Sequence, residues 1–165
     1  MSVFDDKDFD EAANANGSLG GGYFAVGTFA VMVNRCAEGT SRKNGPFTVV
    51  ETTVIESDTP DQKPKSKPSA QFMKKWDGWA NLMKDFGVGA AQAMGASAAD
   101  AKQVAGKDLK ELFGEGQPMA GRLIGVTTYK KSGKDFTNYT WFPLDAAAYA
   151  RVTAKAKELD IIGVR

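Results

Sequence analysis

Two runs of β-branched and aromatic residues constrain this chain more than any other feature. Residues 23–35 read YFAVGTFAVMVNR and residues 47–56 read FTVVETTVIE. Such side chains suit a pleated, half-buried surface, so both runs predict strands. The first is apolar almost throughout, which predicts cover on both of its faces. Gly27 within it predicts a bend or bulge. The intervening residues 36–46, CAEGTSRKNGP, are turn chemistry from end to end. Together the three segments predict a long antiparallel hairpin.

The remaining chain extends this plan. Residues 57–68 carry three prolines and three lysines and predict a loop, because proline lacks the amide a central strand needs. Ser69 has N-cap chemistry, and Phe72, Trp76, Trp79, Met83 and Phe86 follow at spacings of four, three, four and three. That stripe predicts a helix from Ser69 to about Gly87, packed by its rings against the sheet rather than offering them to a ligand. A shorter helix is expected from Ser97 to about Val104, and a further turn over Asp108–Phe113. Residues 119–130 and 135–142 read as a second hairpin around the cationic loop 131–134. A terminal helix is expected from about Leu144 to Leu159, with Asp145 near its start and Lys155 and Lys157 near its end. The fold class is therefore β-rich α+β, organised as an N-terminal segment 1–22 and a domain 23–165.

Composition narrows the chemistry. The chain has 165 residues, one cysteine and no histidine. Without histidine it lacks the usual general base and the commonest transition-metal ligand. Cys36 has no partner for a disulfide and no imidazole to activate it, which fits a reducing, cytoplasmic setting. The acids at 5, 6, 8, 10 and 11 lie in a Gly/Asn/Ser-flanked terminus with no apolar frame to hold a metal, and Asp58 and Asp61 lie in the proline-rich loop. Phosphate-binding loops, nucleophile elbows and zinc-type cysteine pairs are missing. The expectation is a non-catalytic protein with no cofactor, no metal and no membrane span.

The net charge of +1 conceals an asymmetry. Residues 1–11 hold five acids and Lys7, leaving 20 basic and 15 acidic residues elsewhere. Segment 122–141 interleaves Arg122, Lys130, Lys131 and Lys134 with Tyr129, Phe136, Tyr139 and Trp141, and the first hairpin adds Arg35, Arg42, Lys43 and Phe47. Cations for phosphates and flat rings for unstacked bases are what a single nucleic-acid strand requires. Strand alternation limits this. Tyr139 and Trp141 share one face and Phe136, Asn138, Thr140 and Phe142 the other, so one set must be core. The polar residues mark the second face as the open one, which would put Tyr139 and Trp141 inside. An acidic, Phe-bearing terminus on a glycine tether is placed to compete for the same groove.

The opening FDDKDFDEA, the glycine linker into GGYFAVGTFAVMVNRCAEGTSRKNGPFTVVETTVIES, the helical middle and GRLIGVTTYKKSGKDFTNYTWFPLD together resemble phage-encoded single-stranded DNA-binding proteins of the oligonucleotide-binding (OB-fold) type, including a phage family long labelled only as a domain of unknown function. The resemblance implies an OB-fold-like, partly open antiparallel barrel with a helical insertion and a C-terminal helix. It also implies a protein that coats and protects single-stranded DNA during replication or recombination, with replication or recombination proteins as partners. Only four strands are evident, so the fifth must come from bending the first at Gly27 or from a short segment. Two other readings compete. One is a phage structural or adaptor protein whose hairpins are protein-binding edges; the other is an enzyme with a carboxylate metal site.

Overall fold

The computed structural model describes residues 22–130 and 137–165. Five strands, β1 (Gly27–Ser41), β2 (Gly45–Ser57), β3 (Ser69–Met73), β4 (Leu123–Lys130) and β5 (Thr137–Phe142), form one antiparallel sheet in the order β3-β2-β1-β4-β5. Three helices, α1 (Trp79–Ala93), α2 (Ala98–Ala101) and α3 (Gly106–Leu112), lie between β3 and β4, and α4 (Ala146–Glu158) follows β5. This is a β-rich α+β protein whose sheet is not closed by strand pairing among the described residues.

The first hairpin is longer than its sequence predicts. β1 continues through Ser41, and the turn shrinks to Arg42, Lys43 and Asn44. Gly45 sits at φ +77°, the left-handed position that ends a three-residue hairpin loop, and Asn44 N–H donates to Ser41 Oγ. Residues 36–41 keep their strand because every one of them pairs with β2, and this pairing outweighs their turn-like composition. Gly27 opens β1 instead of bending it; the register shifts fall at Ala30/Val31 and between Val33 and Arg35.

The fifth strand lies in the segment whose spacing predicted a helix. Ser69–Met73 pairs with Phe47–Glu51 of β2, with Ala70 and Phe72 fully buried and Ser69 and Gln71 half-exposed between them. The period is two, not 3.6. The helix begins only at Trp79, after two turns in which Trp76 N–H donates to Met73 and Trp79 N–H to Trp76. Phe72 joined the aromatic stripe by coincidence of spacing across a strand, a turn and a helix. The proline-rich loop remains irregular, yet it runs along β2: Val54 N–H donates to Ser66 and Lys65 N–H to Val54.

Two apolar layers flank the sheet. The larger holds Phe29, Val31, Val33, Val50, Phe72, Phe86, Ile124, Tyr139 and Trp141 beneath α1. Helix α1 can approach β5 closely because Gly89 has no side chain; a Cβ there would lie 2.5 Å from Trp141 Cβ. The smaller layer, Ala30, Met32, Ile55, Leu123, Val152 and Ala156, forms where α4 crosses the opposite face. Asp145 caps α4 by accepting from Ala148 N–H at 2.7 Å. Strand β1 is thus covered on both faces, as its continuous apolar run implies.

The outer strands β3 and β5 approach each other through side chains. Phe72 of β3 meets Tyr139 of β5 edge-to-face, with ring centroids 5.5 Å apart, and Phe24 meets Tyr139 at 6.0 Å. The lead-in 22–26 bridges the two sides. Ser69 N–H donates to Gly22 C=O, and Thr128 Oγ donates to Ala25 C=O.

Candidate functional site

A cleft of about 960 Å³ opens where this lead-in, the β1–β2 hairpin tip, the β3–α1 turn and the ends of β4 and β5 converge. Lys43 comes from the hairpin tip, Lys75 from the turn and Lys130 from the end of β4. All three are exposed, and Asp61 is the acid among the lining residues. Tyr23, 67% exposed, and the half-buried Trp76 supply aromatic surface. The polar groups hold one another in place. Lys75 Nζ donates to Asn44 Oδ1 at 2.8 Å, fixing the turn to the hairpin tip, and Tyr23 OH donates to Gln71 Oε1 at 3.4 Å. The result is a cationic, ring-bearing groove whose walls come from segments distant in sequence.

The structure sorts the residues singled out from sequence. Lys43 and Lys130 line the cleft together. Arg42 is exposed at the same hairpin tip, outside the lining. Tyr129, 40% exposed, precedes Lys130 and so points to the other side of β4. Lys131, Lys134 and Phe136, like the acidic segment 1–11, lie outside the described residues.

Other members of the set are placed elsewhere. Tyr139 and Trp141 are buried, at 4% and 6% exposure. Tyr139 forms part of the cleft floor but packs into the aromatic core, where its phenol is pushed up by burial first and by Tyr23 second. Trp141 lies against Phe86 at 4.9 Å. Neither ring is open to a base. Arg35 is engaged with Glu51 at 3.3 Å, and Arg122, at the opposite end of β4 from Lys130, donates from Nε to Pro118 C=O at 2.8 Å. Phe47 lines a separate pocket. Sequence alternation placed Tyr139 and Trp141 in the core correctly, but of the polar residues taken to mark the open face Thr140 is exposed and Asn138 is buried, at 7% exposure, so β5 is covered on part of its second face as well. Nor could alternation show that the two ends of β4 serve different surfaces.

Sequence reasoning missed Tyr23, Lys75 and Trp76. The signal was present as Lys74-Lys75-Trp76, but the helical stripe assigned Trp76 to the core. That assignment holds in part, since Trp76 and Trp79 pack partly against the core while Phe72, Met83 and Phe86 are fully in it.

Among the described residues no group of histidine, cysteine, aspartate or glutamate side chains could hold a metal ion, and no helix is long and apolar enough to cross a membrane. The chain matches no protein-family model and no curated protein.

Proposed function

We propose that the protein binds single-stranded nucleic acid in the large cleft, as a phage-type single-stranded DNA-binding protein that coats and protects exposed strands in replication or recombination. One observation carries this reading: Lys43, Lys75 and Lys130, from three separate elements, meet in one groove with Tyr23 and Trp76. Cations spaced along a groove neutralise successive phosphates, and exposed rings stack the bases between them, each worth about 1–3 kcal/mol with little sequence preference. A duplex keeps its bases stacked inside and gains only the charge term.

The sheet is in keeping with a partly open OB-type barrel. It has five antiparallel strands, helices inserted between β3 and β4, and outer strands drawn together by Phe72 and Tyr139. The activity is binding without chemistry, and its setting is the cytoplasm.

Gel shifts with single- and double-stranded oligonucleotides at two salt concentrations test the reading. The single strand should bind more tightly, and its affinity should fall steeply with salt. Equal binding to both forms, or none to either, would remove the proposal and leave an adaptor role in its place.

A further inference from the structure

The turn between β3 and α1 carries a lysine–tryptophan pair twice, and the two pairs serve opposite sides of it. Lys75 and Trp76 line the large cleft, whereas Lys74 and Trp79 line a second pocket of about 460 Å³ together with Phe47 and Glu38. The wall between the two is one turn of backbone. Its position is fixed, because Lys74 N–H donates to Pro46 C=O at 3.0 Å and Lys75 grips Asn44. In the second pocket the Phe47 ring lies across Gly39, where a Cβ would come within 2.5 Å of it, so the ring is held flat on the hairpin.

Trp79 supplies an independent observation. Its Nε1 is buried and meets no acceptor among the described residues. That edge is turned into the protein, so the half-buried ring offers the pocket its carbon surface.

We infer that this pocket is a second subsite for the same single strand, holding a nucleotide that neighbours those in the large cleft. The inference rests on the single-strand reading above. Phe47 and Trp79 provide ring surface, and Lys74 meets a phosphate. Glu38 offsets Lys74, so this subsite adds affinity chiefly through its rings. The strand bends over the Lys74–Trp79 turn, and the turn sets how many nucleotides the protein covers.

The test uses fluorescence anisotropy with oligothymidylates of about four and about twelve nucleotides, within the range one such fold covers. Lys74→Ala and Trp79→Phe are compared with Lys75→Ala and the parent protein. The inference expects Lys74→Ala, through the lost charge, and Trp79→Phe, through the smaller ring, each to weaken the long oligonucleotide roughly threefold or more while leaving the short one within about twofold. If neither substitution affects the long oligonucleotide while Lys75→Ala weakens both lengths, the second subsite is wrong and the cleft stands. If the parent protein binds neither length, both readings fall together. Lys74 is exposed, so Lys74→Ala remains informative should Trp79→Phe fail to fold.

Discussion

The side-chain amide of Gln117 stands in for a missing strand beside Cys36. Its Nε2 donates to Cys36 C=O at 2.7 Å, and Cys36 N–H donates to its Oε1 at 2.8 Å. This is the pairing a neighbouring strand would offer, placed just beyond the point where β4 leaves β1. Gln117→Ala strands both backbone groups next to a fully buried side chain and should cost about 1–3 kcal/mol, read as a lower urea midpoint at unchanged slope.

Cys36 also sets a pH dependence. Burial, with the Glu51 carboxylate adding to it, pushes the thiol from 9.0 up to about 12. The unfolded thiol therefore ionises first, and above pH 9 the folded state binds more protons. Its contribution to stability is complete below that pH and is lost as pH rises toward 12, at about 1.4 kcal/mol per unit. Urea midpoints from about pH 8 to pH 11 should fall along this slope, and Cys36→Ala should flatten it. Some decline should persist above pH 10 from the raised Tyr139 phenol.

At Gly89 a single methyl group would meet the Trp141 Cβ and, at 3.0 Å, its carbonyl oxygen. Helix propensity alone favours alanine there by up to about 1 kcal/mol. Overpacking against backbone outweighs that gain, so Gly89→Ala should destabilise by roughly 1–3 kcal/mol. Gly116→Ala, where a Cβ meets open space, is the control that should leave the melting temperature nearly unchanged.

Charge removal should separate cleft lysines from cations placed elsewhere. Lys43→Ala, Lys75→Ala and Lys130→Ala should each weaken single-strand binding and reduce the slope of log affinity against log salt by about 0.7. Arg35→Ala, which releases an ion pair with Glu51, should leave that slope unchanged. Arg122→Ala should act on stability instead, since its guanidinium holds Pro118 C=O far along β4 from Lys130.

Trp76→Ala should cost about 1–3 kcal/mol of binding if its ring stacks on a base. Trp141 is sealed against α1, so fluorescence quenching by oligothymidylate should come from Trp76 and Trp79, leaving a Trp141-only variant unquenched.

Most of the sheet was legible in the sequence because its long strands are written in valine, isoleucine, threonine and aromatics. The C-terminal helix was legible through Asp145 and its terminal lysines. Strand β3 was not. Five residues are too few to establish a period of two, and Phe72 happens to stand four residues before Trp76. Pairing with Phe47–Glu51, a long-range relation, decided the matter. The candidate site was half legible for a related reason. Composition located the lysines of both hairpins, but which of them share a groove depends on strand register. Lys130 and Arg122 are eight residues apart on one chain and serve different surfaces.

Strand β1 is two structures in one. Phe29–Met32 is pinned between β2 and β4, whereas Ala37–Ser41 pairs with β2 alone and carries the tip with Lys43. Amide exchange should divide there, slow in the first part and fast in the second. The arm bearing Lys43 is moored to the β3–α1 turn by Lys74 N–H on Pro46 C=O and by Lys75 Nζ on Asn44 Oδ1, so the groove keeps its width even where the amides at its rim exchange.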